Sequence, residues 1–129
     1  MNLRLSVVLA TRNEELNIGA CLSSVKDIAD EIIVVDEEST DKTVEIAKSH
    51  GAKVYSTEHS PIFHITKQKA IDKASRDWIL QLDADERVTG ELAEEIKEVA
   101  NMSSDEIRKR RPKNLIKWKL FQKHKKLIE

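Results

Sequence analysis

Short apolar runs that end in polar clusters, with helical patterns between them, set the tightest limit on how this chain can fold. Trp78-Ile79-Leu80-Gln81-Leu82 is one such run, bounded by Asp77 and followed at once by Asp83-Ala84-Asp85-Glu86. Its length predicts a buried strand over 77–82 rather than a helix. Leu5 to Ala10 and Ile32 to Val35 are apolar and β-branched, and predict two more buried strands. They run into Thr11-Arg12-Asn13-Glu14 and Asp36-Glu37-Glu38. Lys53-Val54-Tyr55 predicts a short strand between them and the last run.

The intervening segments carry helical spacing. Leu16, Ile18, Cys21, Leu22 and Val25 predict a helix that Asn13 could cap, with acids in its first turn. A helix over 41–50 would turn Val44, Ile46 and Ala47 inward, with Ser39 or Thr40 as its N-cap and Gly51 at its C-terminal cap. A loop over 56–63, punctuated by Pro61, precedes a helix over 65–74 whose apolar face is weak: Ile65, Ala70, Ile71 and Ala74. Thr89 or Gly90 starts a last helix to about Ala100, with Leu92, Ile96 and Val99 inward. Strands alternating with helices predict a parallel, three-layer α/β sheet with right-handed crossovers.

The length of 129 residues suits one domain with a real core. A formal net charge of -1 hides an asymmetry. Residues 1–106 carry 12 Lys/Arg and 22 Asp/Glu, whereas residues 107–129 carry 10 Lys/Arg and Glu129 as their one acid. The body, 1–106, is therefore acidic and the tail, 107–129, basic. Cys21 is the single cysteine, so no internal disulfide forms and a reducing cytoplasm is the simplest setting; its place in an apolar helical pattern suits a core residue. Met1-Asn2-Leu3-Arg4-Leu5 reads as the start of a strand rather than a signal peptide, because the apolar run is short and Arg12 follows. No run approaches a membrane span. In the tail, Arg108 to Lys113 forms a basic turn, and Ile116-Lys117-Trp118-Lys119-Leu120 alternates as a half-buried strand does, although a helix with a poor stripe remains open.

If the sheet is parallel, the three polar clusters open on one edge, where ligands collect in such folds. Asp83 and Asp85 could there share one hard divalent cation, which prefers oxygen ligands and also takes them from phosphates. The plainer reading of Asp-x-Asp is an acidic, solvated turn before a helix. Gly19, Gly51 and Gly90 are the only glycines, so neither the Gly-x-Gly-x-x-Gly fingerprint nor the phosphate-binding Gly-x-x-x-x-Gly-Lys loop is present. His59 and His64 flank Pro61 and receive no role.

Three motifs in order carry a resemblance. They are Val7-Val8-Leu9-Ala10-Thr11-Arg12-Asn13-Glu14, Ile33-Val34-Val35-Asp36-Glu37-Glu38-Ser39-Thr40-Asp41, and Asp77 to Glu86. Over roughly residues 4–100 the chain resembles the nucleotide-binding half of a family 2 glycosyltransferase, the inverting GT-A type. Its Asp-Trp-(apolar)-Leu-Asp-Ala-Asp-Glu flavour is that of the lipopolysaccharide core subgroup. The resemblance implies a three-layer, Rossmann-like nucleotide-diphospho-sugar transferase fold, truncated after the Asp-x-Asp strand and the next helix. It implies a nucleotide-sugar site from Thr11, Asn13, Glu14, Asp36, Lys67 and Asp83. Thr11 and Glu14 would line the base and ribose pocket, and Asp36 would accept from the base, with a UDP-sugar as donor. Asp83 and Asp85 would hold Mn²⁺ or Mg²⁺. Glu86 and Arg87 could simply be the solvated first turn of the next helix, as Asp36 could be a turn carboxylate.

Two departures stand out. Glu38 replaces the glycine of the family's Asp-Gly-Ser-Thr-Asp turn, removing an easy route to positive φ. Lys67-Gln68 stands for its Arg-Asn pair, keeping a charge without arginine's fork. The implied reaction transfers a sugar to an acceptor hydroxyl with inversion, and the family's general base lies beyond the matched region. That leaves the catalytic base unassigned, and the chain reads as a donor-site module of a truncated or split enzyme. The basic tail, with Trp118 and Phe121, would meet an acceptor domain or an anionic membrane surface, placing the protein in the cytoplasm or at the membrane's inner face. A non-catalytic nucleotide- and metal-binding module is the alternative, followed by a phosphoacceptor signalling domain. Nucleic acid is not expected, since no aromatic platform or reading helix accompanies the basic residues.

Overall fold

The computed structural model describes residues 4–101 and the backbone of 120–122. Its strands are β1 (Leu5–Thr11), β2 (Glu31–Glu37), β3 (Lys53–Thr57), β4 (Trp78–Leu82) and β5 (Leu120–Gln122). They lie in the order β3-β2-β1-β4-β5. The first four are parallel, and β5 pairs antiparallel with β4 through Ile79 and Phe121. Helices α1 (Ile18–Val25), α2 (Thr43–Ser49) and α3 (Phe63–Lys73) make the crossovers between the parallel strands, and α4 (Gly90–Ala100) follows β4; all flank the sheet.

Side-chain alternation along β1 shows why both faces need cover. Leu5, Val7 and Leu9 pack with Ile18, Cys21, Leu22 and Val25 of α1, Ala47 of α2, and Ile96 and Val99 of α4. Val8 faces the other way, with Ile33, Val35, Ile79 and α3's Ala70. All of β1 is buried, as its apolar run requires. Burying each such Leu, Ile or Val contributes roughly 1.5–3 kcal/mol. Gly51, with φ +82°, ends α2 in the left-handed conformation of a C-terminal cap. Thr89 caps α4, accepting from the Leu92 N–H at 3.1 Å. No helix of the described residues is long and apolar enough to cross a membrane.

Several local expectations give way to tertiary contacts. Leu16 precedes α1 and is 91% exposed, because a turn closed by Glu14's carbonyl delays the helix to Ile18. Asn13 does not cap it, since its side chain bonds elsewhere. Helix α2 starts at Thr43, with neither Ser39 nor Thr40 as its cap. β3 runs on to Thr57, α3 begins at Phe63, and Ile65 is exposed at 47%. Of the basic tail only the backbone of 120–122 is described, and residues 107–119 and 123–129 lie outside the described residues.

The opposite end of the sheet is pinned by Glu31, 7% exposed. Its Oε2 accepts from Ser6 Oγ at 2.7 Å and Ser75 N at 2.9 Å, and its Oε1 from Lys53 Nζ at 3.1 Å. Burial works against the carboxylate, but these donors outweigh it and hold the group at about 2, down from 4.5. Its contribution is therefore complete above 4.5 and is lost as pH falls from there toward about 2. That acid-labile share is on the order of 3 kcal/mol. In urea unfolding at pH 7 and pH 3, Glu31→Gln should lower stability at neutral pH and show a smaller acid loss than the wild-type chain. An equal acid loss in both would contradict this role.

Candidate functional site

β1 is central, and the chain fills its two sides in turn: β2 and β3 on one, β4 on the other. Strand order therefore reverses beside β1, and the crevice beyond the carboxyl ends of β1 and β4 is where such sheets bind ligands. The register pairs Thr11 with Asp36 and Leu9 with Leu82. Asp36 and Asp83 thus flank β1 on one edge, two strand spacings or about 10 Å apart. All three polar clusters share that edge, as the parallel sheet predicts.

Asp36 is 1% exposed. Its Oδ1 accepts from Thr11 Oγ1 at 2.7 Å and Ser39 Oγ at 2.6 Å, and its Oδ2 from Ser39 N at 2.9 Å. It is therefore a turn carboxylate, but it does not end there. A carboxylate has about four acceptor positions, and among the described residues these bonds leave one on Oδ2. Thr11, fully buried, sits beneath Asp36 rather than facing out. Asn13 and Glu14 join the loop after β1 to the turn after β2. Asn13 N donates to Ser39 Oγ at 2.8 Å, Thr40 N to Asn13 Oδ1 at 2.8 Å, and Glu14 N to Thr43 Oγ1 at 2.8 Å. Asp41 extends the latch, accepting from Glu15 N at 3.2 Å and Thr43 N at 2.9 Å. Burial opposes Asp41's charged form, yet the Thr43 bonds lower its pKa below the usual value.

The Asp-x-Asp turn is held as firmly. Asp83 N donates to Glu86 Oε1 at 2.8 Å, and Glu86 N to Asp83 O at 2.9 Å. Arg87 Nη1 donates to the Ala84 carbonyl at 3.0 Å, and Val88 N to Ser24 Oγ at 3.0 Å. Glu86 and Arg87 therefore clamp this turn, and α4 starts only at Gly90. Lys67 Nζ lies 3.0 Å from Asp83 Oδ1, so the structure brings α3's lysine to the end of β4. Asp85 is exposed. Among the described residues no group of three or more His, Cys, Asp or Glu side chains converges as a metal cluster. Asp83 and Asp85 are the carboxylates of this turn that could hold a divalent cation.

Sequence reasoning missed two contributors. Glu37, fully buried, accepts from His59 Nδ1 at 2.7 Å and also from Thr66 Oγ1. Arg12 Nη1 donates to the Glu37 carbonyl at 2.9 Å. A buried acid inside an acidic turn gives no signal in one sequence. His64 is exposed.

Glu38 occupies φ +50° where the family turn has glycine, and Asn13 has φ +51°. Asn tolerates this region better than Glu. Glu38→Gly should raise the urea midpoint. The gain is up to about 1 kcal/mol, offset in part by glycine's freedom in the unfolded chain and by loss of the His59 N to Glu38 Oε1 bond of 3.1 Å. An unchanged or lower midpoint would argue against strain there.

Comparison with known proteins agrees with this geometry. An uncharacterized glycosyltransferase of Rickettsia typhi is 45% identical over 95 residues, which is 72% of this chain and 32% of that protein. S. aureus TarS superposes with a TM-score of 0.66 at 27% identity, over 75% of this chain and 31% of that one. Glucosyl-3-phosphoglycerate synthase from Mycobacterium tuberculosis, solved with Mn²⁺, uridine diphosphate and glucosyl-3-phosphoglycerate, gives a TM-score of 0.57 at 28% identity. That match covers 65% of this chain and 35% of the synthase. The chain thus spans about a third of the length of these relatives. The glycosyl transferase family 2 profile matches residues 6–126, and with the nucleotide-diphospho-sugar fold around β1 this chain belongs to that family.

Proposed function

We propose that the edge formed by β1, β2 and β4 is the donor site of an inverting sugar transfer from a nucleoside-diphosphate sugar, with a UDP-sugar as donor. One observation carries the reading: Asp36, with an acceptor position to spare, and the Asp83-Ala84-Asp85 turn flank β1 on a single edge at the fold's switch point. The uridine diphosphate and Mn²⁺ bound by the Mycobacterium tuberculosis synthase support it.

In this reading Asp36 Oδ2 accepts the ring N–H of uracil, and Thr11 holds Asp36 in place. Asn13 and Glu14 form the rim toward the base and ribose. Asp83 and Asp85 would hold Mn²⁺ or Mg²⁺, and Lys67 would add a cationic charge beside them. When bound, such a cation would supply Lewis-acid neutralisation of charge on the departing diphosphate. An acceptor hydroxyl attacking opposite the leaving group inverts the anomeric carbon and needs a general base, which no described residue is assigned to provide. This reading divides the chain into the donor-binding body, 1–106, and a basic tail or edge strand, 107–129, whose residues 120–122 add β5 beside β4. The tail's ten Lys/Arg suit an anionic membrane surface, which fits an acceptor in lipopolysaccharide or other cell-surface polysaccharide assembly.

The test is UDP binding by calorimetry with and without Mn²⁺. The wild-type chain should bind more tightly with the metal, and Asp85→Ala should lose that enhancement, by about tenfold or more in Kd. Asp36→Asn should weaken UDP in both conditions, because an amide NH₂ in place of a carboxylate oxygen cannot accept the base N–H. UDP binding that ignores both metal and Asp85 would refute the site. Binding without sugar transfer to any acceptor would favour a nucleotide-binding module that is not catalytic on its own.

A further inference from the structure

We infer that Glu37 is the positioning residue that sets where Lys67 stands at the donor site, an inference that rests on the donor-site reading above. Glu37 is the last residue of β2, and strand alternation puts its side chain on the α3 face, opposite Asp36. Its Oε1 accepts from His59 Nδ1 at 2.7 Å and Ser60 N at 3.4 Å, its Oε2 from Thr66 Oγ1, and its carbonyl from Arg12 Nη1 at 2.9 Å. One residue is thereby bonded by the loop after β1, the loop before α3, and α3 itself. Burial alone would disfavour the carboxylate, but Thr66, His59 and Ser60 outweigh it and lower its pKa.

Beyond these bonds, α3 is held by Ala70 in the core, by Lys69 Nζ donating to Thr57 Oγ1 at 2.6 Å and by Lys73 over the Tyr55 ring. Within the helix only Thr66 and Ala70 are buried, and both are small. Its N-cap, Ile62, makes no side-chain cap bond. The contacts of Lys69, Ala70 and Lys73 lie in the second half of α3, so the Glu37 bonds are the ones that fix its first turns, where Lys67 stands. Thr66 is the residue next to Lys67, whose Nζ stands 3.0 Å from Asp83 Oδ1 and 5.7 Å from the centre of the Phe63 ring. An apolar side chain would fill the Glu37 site at less desolvation cost. A buried ion there makes sense where the bearing of α3, and so of Lys67, matters.

Two measurements test this on the full chain. In amide hydrogen exchange, Glu37→Ala should deprotect residues 58–67 while β1 and β4 stay protected. Thr66→Val, an isosteric change that removes only the hydroxyl and should fold, should give a smaller deprotection of the same segment. In Mn²⁺-dependent UDP binding, Thr66→Val and Lys67→Ala should each raise Kd by about tenfold, and the double variant by little more than either alone, because both remove one contact. Unchanged exchange over 58–67 in both variants, or fully additive losses in Kd, would overturn the inference. If the wild-type chain fails to bind UDP, the donor-site reading falls and positioning at that site falls with it; the exchange result then shows whether Glu37 still anchors α3.

Discussion

The hydrogen bond from Thr11 Oγ1 to Asp36 Oδ1 joins the ends of the two parallel strands from which the site is built, and the polar latch above it follows from the same need. A carboxylate as buried as Asp36 must be supplied with donors, or it costs several kcal/mol. Thr11 and Ser39 supply them, which forces the chain after β2 to fold back over its own end. That turn then presents Ser39, Asp41 and Thr43 to the backbone of residues 13–15. Each such bond contributes only about 1 kcal/mol net. Together they make one rigid rim from two loops, with positive φ accepted at Asn13 and Glu38.

Alternation along β2 divides two tasks between neighbouring acids. Asp36 bonds within the latch on one face of the sheet. Glu37 faces α3 and bonds its first turns. β1 sits between these groups and Asp83, so the proposed donor site would span about two strand spacings and suit an extended ligand touched at both ends.

Much of this was legible in the residues. Apolar runs of strand length, the alternation with helical spacing, Gly51 and Thr89 all specified β1, β2, β4, α4 and the end of α2, because local chemistry and tertiary need agree there. Disagreement came where side chains reach across the fold. Leu16 fits a helical stripe, yet the bonds from residues 13–15 to the β2 turn hold the chain away from a helix until Ile18. Ser39 looks like an N-cap, but the buried Asp36 claims its hydroxyl. The weak stripe of α3 was readable, while the Glu37 tether that compensates for it was not, since no short-range pattern pairs Glu37 with Thr66. Lys67 enters the proposed site through resemblance alone, and its ion pair with Asp83 is a contact across the fold that no short-range pattern signals.

The proposed donor site draws on three strand ends at once. Amide chemical-shift mapping of the full chain titrated with UDP and Mg²⁺ tests it most directly. Perturbations should group at 11–15, 36–43, 67 and 83–87, with the opposite sheet edge around Glu31, His50 and Arg76 unchanged. Perturbations centred on that opposite edge, or confined to one of the three strand ends, would contradict it.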